Sequence, residues 1–158
     1  MNNKEFDFLS GWDQNLSGVP LLRRALDIIE ADGTHFHMGS WCCVEYVEGD
    51  RFVRYAAREL EEVKNKLCRT TFCLAGLICW IKGDEFFKSA LMTGGWESDA
   101  IDEVHANAFR DVATKLSTLF HSYRLPRDEV VFIGRAIADE LEAKLAERQR
   151  NSLSEIVQ

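Results

Sequence analysis

An uncharged run near the middle of the chain constrains the fold more than any other segment. Phe72 to Ile81 carry no formal charge, inside a longer apolar stretch that extends from Leu67 to Gly83. This run is longer than a typical buried strand, and a helix that lacks a polar face has to be buried on all sides. The sequence therefore predicts a central, buried helix from about Thr71 to Lys82.

Small and bulky side chains separate on this predicted helix. At about 100° per residue, one arc collects the small residues Cys73, Ala75, Gly76 and Cys79. A glycine inside a helix is unfavourable unless something needs the space that its missing side chain leaves. We therefore expect Gly76 to lie where another helix crosses closely.

Composition is that of one globular domain. The chain has 158 residues, of which 46% are hydrophobic and 28% are charged. A chain of this length can bury a core without disulfides or metal ions. The net charge of −7 argues against a general nucleic-acid binder, which would carry a basic face. It is compatible with a basic protein partner.

The sequence also indicates a cellular compartment. The first residues have neither the basic start nor the apolar core of a signal peptide. No apolar run reaches the roughly 18 residues that a membrane span requires. An odd number of cysteines, five, is most simply interpreted as reduced thiols in a cytoplasm. We expect a cytoplasmic protein that does not enter a membrane.

Apolar periodicity predicts further helices on both sides of the central one. They run from about Pro20 to Asp32, from Gly49-Asp50 to about Leu67, from Asp84 to the break at Thr93-Gly94-Gly95, from Ser98 past Val112 to a turn near Phe120, and from Pro126 to about Arg150. Residues 34–47 are interpreted as a loop followed by a short extended piece. The N-terminal residues Phe6, Phe8, Leu9 and Trp12 are expected to form an irregular arm against the core.

The fold class that follows is mainly α. We predict a single compact helical domain of about six helices over residues 1–150, which leaves room for one short extended segment. Residues 151–158 are predicted to be a flexible tail.

The cysteines are the first candidates for chemistry. Cys68 and Cys73 flank the start of the predicted central helix, where the helix dipole can lower a thiol pKa. A cysteine-dependent hydrolase would also need a base, and His105 or His121 could supply one. Neither histidine lies in a recognisable catalytic signature, and free cysteine is among the most buried residue types. We expect structural thiols and keep the hydrolase as an alternative.

A metal site is the second candidate. Suitable zinc ligands are His35, His37, Cys42, Cys43, Cys68 and Cys73. None of these cysteines shows the short C-x-x-C spacing that makes zinc sites recognisable. We therefore expect no metal and no cofactor, and keep a zinc-stabilised interaction module as an alternative.

Two short motifs resemble a pattern found in small uncharacterised proteins of bacteria and their phages. In outline the pattern is F-x-M-x-x-W, a spacer, and then C-G-T-x-x-C-hydrophobic-A-G, with a Leu-Phe after a later helix. The matching residues are Phe36, Met38, Trp41, the segment from Cys68 to Gly76, and Leu119-Phe120. The match covers roughly residues 34–123. This chain departs from the pattern at His37, where the family has Asp, and at Arg69, where it has Gly. The family brings no established activity, so the resemblance implies origin rather than mechanism.

The function expected from the sequence is therefore binding without catalysis. We expect a partner-binding protein, encoded by a phage or mobile element, that inhibits a host defence complex through an acidic surface. Its partner would be a protein with a basic nucleic-acid-binding surface, with no direct contact to nucleic acid. A homodimer through the last helix, where Phe132 extends the apolar surface, is a further option.

Overall fold

A computed structural model of the chain describes residues 11–31, 33–39, 41–66 and 70–157. Phe6, Phe8, Leu9, the expected helix end at Asp32, and Cys68 lie outside the described residues. Within them the elements are α1 (Gly18–Ala31), β1 (Cys42–Glu48), β2 (Arg51–Ala56), α2 (Leu60–Asn65), β3 (Thr70–Phe72), α3 (Leu74–Ile81), α4 (Asp84–Thr93), α5 (Trp96–Glu103), α6 (Arg110–Phe120) and α7 (Arg127–Val157), with 3-10 turns at Gly33–His35 and Ala106–Ala108. The predicted fold class is confirmed: one compact, mainly α domain with a small sheet.

Helix α3 is the central element, as its apolar run predicted. Each of its residues is buried, and Trp80 packs edge-on against Phe87 with ring centroids 4.8 Å apart. The helix begins later than expected, because 70–72 form strand β3 and Cys73 is the N-cap. The Cys73 sulfur accepts a hydrogen bond from the Gly76 amide at 3.3 Å.

The close approach at Gly76 is real, but its expected partner was wrong. A Cβ atom placed on Gly76 would lie 1.8 Å from the carbonyl oxygen of Trp41. That same oxygen accepts a hydrogen bond from the Cys73 amide at 3.2 Å. The small arc of α3 therefore accommodates the backbone that leads into β1, and no second helix crosses there.

The helix predicted from Gly49-Asp50 to Leu67 was wrong over its first half. Gly49, with φ +62°, and Asp50 join β1 to β2 in an antiparallel hairpin whose closing pair is Glu48 and Arg51. The aromatic and β-branched residues of β2 favour a strand, and Gly-Asp is a hairpin turn sequence. Among the described residues of the predicted range, only Leu60–Asn65 is helical.

The helix predicted from Ser98 is divided in two. Helix α5 begins at Trp96 and ends at Glu103, after which His105 adopts a left-handed conformation with φ +63°. A 3-10 turn then leads into α6. A left-handed residue ends a helix because it turns the chain out of the helical path.

Helix α7 is the longest element and packs mainly on α1 and α6. Two arginines tie it to α1: Arg23 bonds Asp139 at 2.8 Å, and Arg135 bonds Asp27 at 3.2 Å. Residues 151–157, for which we predicted a flexible tail, continue this helix, and the side chains of 151–156 are exposed. No helix in the described ranges combines the length and the apolar composition of a membrane span.

A buried lysine holds the segment that precedes α1. The ammonium group of Lys82, at the end of α3, donates to the carbonyl oxygens of Gln14 at 2.6 Å and Leu16 at 3.0 Å. It also lies 3.1 Å from a carboxylate oxygen of Glu103, and its side chain is only 9% exposed. Trp12 packs edge-on against Trp80, with ring centroids 5.4 Å apart. This part of the predicted arm is therefore pinned against the core.

Candidate functional site

The outer strand of the hairpin is exposed along most of its length. The sheet has the order β2-β1-β3, so β2 lies at an edge, and no other strand of the described ranges pairs with it. On this strand Phe52 is 65% exposed and Tyr55 is 41% exposed. Exposed edge strands with apolar side chains tend to pair with other chains, and proteins usually protect them.

The hairpin register fixes which backbone groups face the open edge. The Ala57 amide donates to the Cys42 carbonyl at 3.0 Å. Hydrogen-bonded pairs alternate along an antiparallel ladder, so Val44 with Tyr55 is such a pair as well. Arg54 and Ala56 alternate with these bonded positions along β2, so their N–H and C=O groups point away from β1. These two residues offer a pairing site for an added strand.

The edge is basic on an otherwise acidic chain. Residues 51–58 contain Arg51, Arg54 and Arg58 and no acidic residue. Arg54 lies 3.4 Å from Glu45 on β1, yet its side chain remains 46% exposed. Phe52 faces Val47 across the strands, and Val47 is 53% exposed. The outer face of the hairpin therefore combines positive charge with an apolar pair.

The inner face of the hairpin is anchored. The Tyr46 hydroxyl donates to a carboxylate oxygen of Glu62 on α2, and the ammonium group of Lys66 lies 4.1 Å from the centre of the Tyr46 ring. Tyr46 also contacts Tyr55, with ring centroids 5.9 Å apart. These contacts hold the hairpin in place, so that its outer edge is pre-organised for binding.

The buried thiols are poor nucleophiles. Burial raises the pKa of Cys42 and of Cys79, and it raises the pKa of Cys73 to about 12. The reactive species is the thiolate, which these pKa values suppress at neutral pH. The two expected bases lie elsewhere: His121 bonds Glu97, and the ring of His105 lies near Gly18. Cys68 lies outside the described residues.

Alkylation should separate buried from accessible thiols. We expect Cys42, Cys73 and Cys79 to resist iodoacetamide in the native protein at neutral pH, because they are buried and protonated. In urea all five cysteines should react. Peptide mass spectrometry locates each modification, and rapid native modification of Cys73 would contradict the structural role.

The histidine pair expected to bind metal makes local contacts instead. The Nδ1 atom of His35 lies 3.1 Å from the Thr34 hydroxyl, and Nδ1 of His37 accepts from the Gly39 amide at 2.8 Å. Across the described part of the chain, no group of three or more His, Cys, Asp or Glu residues could hold a metal ion. The candidate ligands Cys42 and Cys73 are buried.

A cavity of about 520 Å³ opens beside this histidine segment. It is lined by Thr34, Phe36, His37, Met38, Tyr123, Leu125 and Arg127. Residues 34–38 form one wall, and the connection between α6 and α7 forms the other. Phe36 and Met38 of the F-x-M-x-x-W motif are therefore part of the cavity lining.

A polar cluster that the sequence did not predict contacts Tyr123, one of the residues that line this cavity. His121 bonds Glu97 through Nε2 at 2.7 Å, and its Nδ1 lies 3.3 Å from the Tyr123 hydroxyl. The Ser117 hydroxyl donates to the other Glu97 oxygen. Burial acts to raise the pKa of Glu97, but the hydrogen bonds from Ser117 and His121 outweigh it and lower the pKa. In the sequence, only the four-residue spacing that places Ser117 and His121 on one helix face could have indicated this cluster.

The two halves of the resemblance motif meet in the structure. The Trp41 carbonyl oxygen accepts a hydrogen bond from the Cys73 amide and lies against Gly76. The Trp41 ring packs edge-on against His121, with ring centroids 5.5 Å apart. The motif residues thus hold the segment that leads into β1 against α3.

Comparison with known proteins adds no precedent: no family model, no curated protein and no solved structure matches this chain. The family resemblance stays a prediction.

Proposed function

We propose that this protein works without catalysis, by binding a protein partner that adds an extended segment to the edge of β2. The observation that carries the proposal is the open, anchored edge at Arg54 and Ala56, whose backbone groups face away from β1. Strand addition gives affinity through main-chain hydrogen bonds and specificity through alternate side chains.

The chemistry of the edge defines the partner segment. Arg51, Arg54 and Arg58 favour carboxylates on the added strand. The apolar pair of Phe52 and Val47 favours an apolar residue at a neighbouring position. Arg54 and the Phe52–Val47 pair lie on the same face of the sheet, and side chains two residues apart share a face of a strand. A segment with an acidic and an apolar residue two positions apart therefore meets both requirements.

Peptide binding tests the proposal. Two capped peptides of about seven residues would carry valine and glutamate, or valine and lysine, two positions apart on one face, with threonine at the other positions. We expect the glutamate peptide to bind and to shift the backbone amide resonances of Arg54 and Ala56 in ¹⁵N NMR spectra. The lysine peptide should bind at least about tenfold more weakly, because it faces like charges.

Two variants at one position separate strand addition from simple charge attraction. Ala56→Pro removes an outward N–H without breaking the β1 ladder, and it should abolish binding of the glutamate peptide. Ala56→Val keeps that N–H and should bind like wild type. Equal binding by both variants, or equal binding of both peptides, would contradict strand addition.

The finer role predicted from the sequence remains a proposal. We propose α5, which carries Glu97, Asp99, Asp102 and Glu103, as the acidic surface for a basic partner. Inhibition of a host defence complex through this surface rests on charge and on the resemblance. The homodimer also stays a prediction, and Phe132, 76% exposed on α7, is the residue through which it would form.

A further inference from the structure

The cavity between residues 34–38 and the α6–α7 connection has the chemistry of a small-molecule site. We infer that it binds a compound that carries an oxyanion, a carboxylate or a phosphate, on a small apolar body. The cavity is distinct from the proposed binding edge, since none of the described residues that line it belongs to β2. Cavities of this size, mostly apolar with a few converging polar groups, are the usual form of ligand sites.

The charge of the cavity lining is positive. Among the described residues that line the cavity, Arg127 is the one charged side chain, and none is a carboxylate. The neighbouring Asp128 approaches Arg127 only to 3.8 Å, and 44% of the Arg127 side chain remains exposed. A guanidinium group presents paired donors that match the oxygens of a carboxylate or a phosphate.

A second donor comes from His37. Its Nδ1 accepts from the Gly39 amide, so the neutral ring carries its proton on Nε2. Burial and the charge of Arg54 both lower the pKa of His37, which keeps the ring neutral at neutral pH. In this state the ring has a free N–H donor and does not compete as a base.

Tyr123 is placed at the rim by the polar cluster behind it. Its hydroxyl lies 3.3 Å from His121 Nδ1, and Glu97 holds the other side of that imidazole. This chain of contacts orients the phenol, whose oxygen can bond a ligand at the cavity mouth.

The apolar part of the lining fits an unsubstituted ring or chain. Phe36, Met38 and Leu125 form this part, and Met38 is 4% exposed. Because these side chains offer no strong hydrogen-bonding groups, the body of the ligand has to be apolar. A naphthalene ring is a suitable probe body.

Three probes with one ring system test the inference: 2-naphthoate, 2-naphthyl phosphate and the neutral 2-naphthamide. Full-length protein with ¹³C-methyl methionine reports binding at Met38, and the exposed Met92 serves as the internal control. We expect an anionic probe to shift the Met38 methyl resonance and leave Met92 unchanged. The amide should bind about tenfold more weakly, the loss expected for one charge-assisted contact.

Variants assign the charge preference to one residue. Arg127→Gln should reduce anion affinity to that of the amide, while Arg124→Gln, which alters a nearby exposed arginine, should have no effect. A stronger response to naphthoate indicates a carboxylate ligand, and a stronger response to the phosphate ester indicates a phosphorylated one. Equal affinity for anions and amide in the wild type would overturn the inference, as would an unchanged Met38 resonance at about 5 mM probe. This comparison in the wild type does not depend on how any variant folds.

Discussion

Gly76→Ala is expected to lower the free energy of unfolding by about 3 kcal/mol or more, the upper range for overpacking a rigid core. The added methyl carbon would lie 1.8 Å from the Trp41 carbonyl oxygen. To relieve this clash, the segment that leads into β1 has to move, and that movement also weakens the hydrogen bond between the same oxygen and the Cys73 amide. Urea unfolding followed by circular dichroism measures the loss.

Gly49→Ala is the matched control for this substitution. In the described part of the chain, nothing lies within 4 Å of a Cβ atom at Gly49, so the penalty there is that of its left-handed backbone conformation, about 1 kcal/mol. If Gly76→Ala lowers the free energy of unfolding no more than Gly49→Ala does, the segment that leads into β1 can move aside easily.

Lys82→Met is expected to destabilise the protein by about 2–3 kcal/mol, because it leaves buried acceptors without their donor. The carbonyl oxygens of Gln14 and Leu16 lose a charged hydrogen bond, and Glu103 loses its ion pair. The segment before α1 should then detach, so limited proteolysis should cut near Gln14 faster than in the wild type.

The exposed Lys88 on α4 is the control for this prediction. Lys88→Met should change the free energy of unfolding by no more than about 0.5 kcal/mol, as is usual for surface sites. If Lys82→Met behaves in the same way, the lysine does not hold the N-terminal segment.

The sequence predicted those elements that a continuous pattern specifies. The uncharged run specified α3, and regular apolar stripes with Pro or Gly at their ends specified α1 and α7. Lys82 shows the limit of such patterns. It was predicted only as the last residue of the central helix, whereas its hydrogen bonds go to carbonyl groups more than sixty residues away in the chain.

The hairpin shows why the candidate binding surface was missed. Phe52 and Ala56 fit a helical stripe, while Val53 and Tyr55 fit a strand equally well, so periodicity alone could not decide. Pairing of β2 with β1 decided it, and that is a tertiary contact. The edge then follows from the order of the strands, which no local segment encodes.

The polar cluster of Glu97, Ser117 and His121 could not be predicted for a similar reason. Glu97 belongs to α5, whereas Ser117 and His121 belong to α6, and they meet only because these helices pack together. The sequence identified His121 as a candidate base but supplied no partner for it.

The contact between Gly76 and Trp41 has a consequence for the genetics of this chain. The atom that excludes a side chain at Gly76 belongs to the main chain of Trp41, and every amino acid carries that carbonyl group. No substitution at position 41 can therefore act as a compensatory mutation for Gly76→Ala. Gly134 is the opposite case, since its space is filled by the side chain of Leu26, and a smaller residue at position 26 could act as a suppressor of Gly134→Ala.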